Sequence, residues 1–273
     1  MRAQILAGLY VLLIAPMTIE AQEFNIWVPD NVQVVIVDSL GRCVGYDPAT
    51  RQVRKEYPDC GYSLEGVGDS DVEPGQQTND QEYNLWIDEH LVGVYTVRIL
   101  GVSGSRYSLR ITQGIKRRLI IQRESYIRPG TQQDFRLDIT RENRGSLQRS
   151  PHPKSLSEDL QAVFEAGALG DKRFYDQLKK DATQYERQLS KGDSLKARKE
   201  LEQFEQKIDQ EYRRDSRNES TGRGNEKRFI KKDAYQLLKE DVTTLLEQLP
   251  EHRKGKGWER GKDERKDKKE KRD

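Results

Sequence analysis

From about residue 22 to residue 140 apolar residues return at every second position, and from Leu160 onward they return at every third or fourth. A period of two belongs to a strand with one buried face, whereas a period near 3.6 belongs to an amphipathic helix. A chain that switches between them folds as two unlike parts. Its 273 residues are enough for one large domain or two ordinary ones, so the partition rests on the pattern.

The first part is punctuated throughout. FNIWV, VQVVIVD, EYNLWID, VGVYTVRIL, RYSLRIT, RRLIIQRE and DFRLDIT are separated by Gly, Pro, Asn and Asp clusters, which predicts an antiparallel β-sandwich with Greek-key connections over residues 22–140. Roughly eight strands suit such a sandwich. Its most regular piece is GVYTVRILGVSGSRYSLRIT, residues 93–112, in which Tyr95, Val97 and Ile99 share one face and Tyr107, Leu109 and Ile111 share another. With Gly101 and Gly104 in the short connection, the two runs are expected to pair as a hairpin.

Residues 141–155, RENRGSLQRSPHPKS, are polar and carry Pro151 and Pro153, so they read as a linker, His152 included. Four helices are expected beyond it. Leu160, Val163 and Phe164 mark the first, and Phe174, Leu178, Tyr185 and Leu189 the second. Ala197, Leu201, Phe204, Ile208 and Tyr212 mark the third, with Asp193 or Ser194 placed to cap it. Ala234, Leu237, Leu238, Leu245 and Leu249 form the last, which ends at Pro250. Such stripes pack on one another, giving a small helical bundle over residues 156–250. The low-complexity tail at 251–273 reads as a disordered charged end, with contact to an anionic polymer or membrane surface as the alternative.

Residues 1–21 place Arg2 before an apolar run from Ile5 to Ile14, the pattern of a signal peptide cleaved after Ala21. The mature chain is then expected to be secreted or extracytoplasmic, with no membrane span after signal cleavage. Cys43 and Cys60 are the only cysteines, and an even pair in an exported chain predicts a disulfide between them. Closing that loop would contribute on the order of 3 kcal/mol in the chain-entropy model.

A formal charge of +2, from 48 basic and 46 acidic residues, leaves no unopposed basic surface, so no nucleic acid partner is expected. No G-x-S-x-G or H-E-x-x-H frame occurs, and His90, His152 and His252 are scattered, so no catalytic residue is assigned and the chain is expected not to be an enzyme. The acidic loop EGVGDSDVEPGQQTNDQE holds Asp69, Asp71, Glu73 and Asp80, oxygen donors of the kind calcium prefers. Pro74 stands where an EF-hand loop needs its glycine, and the alternatives are a calcium site and a solvated connection; no other cofactor is expected. Trp27 or Trp86, if exposed, would favour sugar stacking.

Asp38, Gly41, Arg42, Gly45, Tyr46, Asp47 and Pro48, with Gly93, Tyr95, Val97, Ile99 and Gly101 and the later RPGTQQDFRLDIT, resemble the Ig-like or pre-peptidase-like β-sandwich modules of secreted bacterial proteins. The two cysteines depart from that pattern. Ala197, Leu201 and Phe204 followed by Ile230 and Ala234 resemble the FIMAH-type helical domain of exported bacterial proteins, with Lys231 where a capping Thr is usual. The resemblances imply accessory modules without catalytic residues. The expected function is thus an exported, non-enzymatic binding or assembly protein of the cell envelope or extracellular space, with an envelope or extracellular protein or glycan as partner. The alternative is an accessory subunit of a secreted hydrolase or an unrecognised carbohydrate-active enzyme.

Overall fold

A computed structural model describes residues 24–66, 81–89, 91–114, 118–142, 144–221 and 229–250. The proposed signal peptide, the charged tail, and Asp69, Asp71, Glu73 and Asp80 of the acidic loop lie outside the described residues. Eleven strands precede four helices among those described: β1 Phe24–Pro29, β2 Val32–Val37, β3 Cys43–Asp47, β4 Gln52–Lys55, β5 Cys60–Gly66, β6 Gln81–Ile87, β7 Gly93–Gly101, β8 Arg106–Gln113, β9 Arg118–Tyr126, β10 Gln132–Ile139 and β11 Gly145–Arg149, then α1 Ser155–Glu165, α2 Lys172–Ser190, α3 Ser194–Thr221 and α4 Lys232–Glu247. The strands form two antiparallel sheets, ordered β5-β6-β1-β8-β9 and β11-β10-β7-β2-β3-β4.

All seven strands expected from alternation are present, and β3, β4, β5 and β11 are additional. Those four escape a periodicity reading for local reasons. β4 is a short edge strand with no buried residue, and β3 and β5 carry glycines where other strands carry apolar side chains. The Asp and Gly positions around them build turns. Asp38 Oδ1 accepts the backbone N–H groups of Leu40 and Arg42 at 2.9 and 2.8 Å, and Asp47 Oδ1 accepts that of Ala49 at 2.9 Å.

The regular 93–112 stretch is not a hairpin. β7 pairs with β2 and β10 in one sheet, while β8 pairs with β1 and β9 in the other, so the Gly/Ser connection arches across the sandwich. Alternation cannot separate these outcomes, because a hairpin and an arch both bury one face of each run. Tyr95, Val97 and Ile99 enter the core from one sheet, and Tyr107, Leu109 and Ile111 enter from the other. Gly101 is required where the arch begins, since a Cβ there would collide with the carbonyl oxygen of Arg128. Asn31 holds the arch by donating from Nδ2 to the Arg106 carbonyl at 2.7 Å and accepting the N–H groups of Val102 and Ser103 on its own carbonyl.

Two further expectations are corrected. Residues 145–149, placed in a linker, are β11, whose register against β10 runs from Phe135 opposite Arg149 to Ile139 opposite Gly145. Cys43 and Cys60 are free thiols. They start strands in different sheets, and each is held separately: the Cys60 thiol donates to the Tyr57 carbonyl at 3.2 Å, while the Cys43 backbone N–H donates to Glu56 at 2.8 Å. Burial, and then the bond to Glu56, push the Cys43 thiol up, which keeps it protonated.

The helices follow their stripes. Asp193 caps α3 through a bond from the Lys196 N–H at 3.1 Å, and Lys231 precedes α4 without a side-chain capping bond. Leu160, Val163, Phe174, Leu178, Leu201, Phe204, Leu237, Leu238 and Leu245 form a second apolar core, and Tyr126 of β9 is the sandwich residue that reaches into it. No helix among the described residues is long and apolar enough to cross a membrane.

Candidate functional site

The edge strands β9 and β11 end the two sheets on the same side of the sandwich, and the helices close that side, α4 against both strands and α1 against β9. The joint is polar. Tyr126, the last residue of β9, buries its ring among the helices and donates from its hydroxyl to Asp233 of α4 at 2.7 Å. Arg123 donates to Glu240 of α4 at 2.5 Å, and the same carboxylate accepts the Arg149 backbone N–H at 2.9 Å. Arg128 and Glu165 pair at 3.0 Å on the rim.

Behind this row lies a sealed charge cluster. Arg149 is bonded through one guanidinium nitrogen to Asp159 of α1 and through Nε to Asp241 of α4 at 3.1 Å. Gln133 of β10 donates to Asp159 at 2.6 Å and to the Tyr126 carbonyl at 2.7 Å, and accepts from the Tyr107 hydroxyl at 2.6 Å. The rings and the charges are stacked as well: Phe135, a residue of the sandwich core, lies under both Arg123 and Arg149, with the guanidinium carbons 5.0 and 5.2 Å from its centre. Burial works against the charge on Arg149, and the adjacent Asp159 and Asp241 outweigh it, so its pKa is raised. Asp159 and Asp241 are the paired carboxylates a hydrolase would require, but neither reaches the surface and both are spent on one guanidinium.

In front of the row, an open cleft of about 680 Å³ runs between β9 and the start of α4. Arg106, Arg123, Lys231 and Lys232 supply positive charge, Glu124, Asp233 and Glu240 negative charge, and Gln122 and Gln236 neutral donors. Its charges are unevenly engaged. Asp233 holds Tyr126 and Arg106, Glu240 holds Arg123 and Arg149, and Glu124 lies 3.5 Å from Arg106. Lys231 and Lys232 are exposed and make no ion pair among the described residues. Among the described residues the cleft therefore presents cations without an ion-pair partner beside acids that are already satisfied.

Of the candidate binding residues singled out in the sequence, the described ones, Trp27, Trp86 and His152, lie outside this cleft, whereas Lys231, noted only as a departure from the capping pattern, lines it. Trp27 is 8% exposed, with Arg110 over its ring at 5.3 Å, and Trp86 packs against Gly61. Trp27 is covered, and Trp86 is half-buried. His152 is exposed at the start of α1, where its Nδ1 accepts the Lys154 N–H at 3.2 Å. Among the described residues no group of three or more His, Cys, Asp or Glu could hold a metal ion. The joint did leave one trace in the sequence: Asp241 interrupts the apolar stripe Leu237, Leu238, Val242, Leu245, and Asp159 stands beside Leu160 on a buried face. An acid at such a position needs a buried partner.

No curated protein and no solved structure matches the chain. Residues 154–247, the whole of the four-helix part that docks on the sandwich, match the model of the FIMAH domain, so the helical half is similar to that family.

Proposed function

We propose that this chain is an exported, non-enzymatic binding or assembly protein of the cell envelope or extracellular space. The sandwich is read as an Ig-like or pre-peptidase-like support, and the helical module as the part that completes a recognition cleft on it. One observation carries the reading: Lys231 and Lys232 make no ion pair among the described residues, at a cleft whose three acids are engaged by Arg106, Arg123, Tyr126 and Arg149. Such a cleft takes an acidic group from an extended partner. The burial of Trp27 under Arg110 and the absence of any tryptophan among the described residues lining the cleft favour a protein segment over a glycan, since sugar stacking requires an open ring face. Asp159 and Asp241, sealed at the joint, lend no support to a hydrolytic role.

The test is titration of the full chain with a fluorescent polyglutamate peptide and, separately, with a sulfated dextran. The peptide should bind, lose about tenfold in affinity in the double variant Lys231→Gln/Lys232→Gln, and weaken further as salt is raised. Binding of the dextran alone would move the reading to a glycan partner. Equal binding by the variant and the parent would remove the cleft from it.

A further inference from the structure

Two carboxylates and one guanidinium share the sealed cluster at the joint. The side chains of Arg149, Asp159 and Asp241 are 1%, 5% and 0% exposed. With both acids ionised the cluster would hold an uncompensated negative charge out of water, a far costlier state than a neutral acid beside a balanced pair. The donors are divided unequally. Asp159 receives Arg149 on one oxygen and Gln133 on the other, at 2.6 Å from the amide. Asp241 receives Arg149 on Oδ1 alone, and its Oδ2 is buried with no hydrogen-bond partner among the described residues. An oxygen without a donor, next to a second carboxylate, is where a proton belongs.

We propose that Asp241 is the protonated member of an Asp159–Asp241 pair, and that this one proton locks the helical module onto the sandwich. The lock is closed while the proton is held, with Arg149 and ionised Asp159 as a balanced ion pair and Asp241 as a neutral acid. Loss of the proton leaves two sealed negative charges on one guanidinium and loosens the joint. Because Asp233 and Glu240, which border the cleft, lie on the same helix as Asp241, loosening α4 also reshapes the cleft.

Every element around Asp241 contributes a group to this balance. β11 supplies Arg149, α1 supplies Asp159, β9 supplies Arg123, β8 supplies Tyr107, β10 supplies Gln133 and the Asp134 carbonyl, and α4 itself supplies Glu240. Glu240 is already held by Arg123 and the Arg149 N–H. Tyr107 is pushed up to about 12 by burial and stays neutral over the relevant range. Burial raises the Asp241 carboxyl well above its ordinary value; Arg149 opposes this, and the charge of Asp159 adds to it. A folded state that holds a proton more tightly than the unfolded chain is favoured by acid. This contribution is complete below the ordinary carboxylate range and is lost as pH rises through the raised value.

The experiment is thermal unfolding of the full chain against pH, with Asp241→Asn and Asp159→Asn beside it. Asparagine imitates a protonated acid, so Asp241→Asn should keep Tm at low pH and abolish its decline at higher pH. Asp159→Asn removes the carboxylate that balances Arg149 and should lower Tm by roughly 6 °C or more. Equal losses in the two variants, or an unchanged decline in Asp241→Asn, would overturn the proposal. Should Asp241→Asn fail to fold, carboxyl-carbon NMR of the unmodified chain decides. The Asp241 resonance should remain at its protonated position at a pH where ordinary carboxylates have titrated, and a resonance that moves with the others would overturn it.

Discussion

The sandwich interior and its joint with the helices are both buried, yet they are made of opposite materials. Phe24, Ile26, Val97, Ile99, Leu109, Ile111 and Leu137 fill the first with apolar side chains, while Arg149, Asp159, Asp241, Gln133, Tyr107 and Tyr126 fill the second with hydrogen-bonded groups. Apolar contact is non-directional and accepts a neighbour of similar volume. A buried charge cluster accepts almost nothing, because each lost partner leaves another group stranded. The interior thus supplies stability, and the joint supplies one defined arrangement of helices on sheets. Phe135 and Tyr107 connect the two: both belong to the apolar core, Phe135 lies under Arg123 and Arg149, and the Tyr107 hydroxyl donates to Gln133.

The sharpest way to break this contrast is Arg149→Ala. It strands Asp159 and Asp241 together, and chemical denaturation should report a loss of about 4 kcal/mol, the largest of any single joint variant. A smaller effect sharpens the contrast through conservative changes on each side. Arg149→Lys keeps the charge but cannot serve two carboxylates from one planar fork, so it should cost about 2 kcal/mol. Leu109→Met, volume-conserving in the interior, should cost less than about 1.5 kcal/mol in the same assay. If the two conservative changes cost the same, the joint has no special demand for geometry. The smallest change is Tyr126→Phe, which leaves the ring in the helical core and removes only the hydroxyl bond to Asp233. A loss of about 1 kcal/mol is expected, and a loss as large as that of Arg149→Ala would mean that Tyr126, rather than the charge cluster, carries the joint.

The two regions also differ in how far they could be read in advance. Tyr107, Leu109 and Ile111 declare a buried face within a few residues, and so do Phe174, Leu178 and Tyr185. The arch between β7 and β8 was hidden by the same regularity that revealed its strands, because the choice of partner for each run depends on β1, β2, β9 and β10. β11 was hidden by its composition. The run Gly145–Arg149 has one apolar residue, Leu147, and it becomes a strand because β10 offers it an edge. The cleft was hidden for a further reason, since Lys231, Lys232 and Arg106 are ordinary surface residues until two modules bring them together.

A strand part followed by a helical part, the buried face of most runs and the start of most elements could be read from the order of residues alone. These follow from the order of apolar and polar residues along a few turns or a few pleats, a local property. Three-dimensional packing sends the runs at 93–101 and 106–113 into different sheets and draws Arg149 out of its apparent linker to join Asp159 and Asp241. Those outcomes depend on groups as far apart in the chain as Arg123 and Glu240, 117 positions, or Arg149 and Asp241, 92 positions. A charge has no periodic signature, and its partner is chosen by whichever folded surface seals it from water.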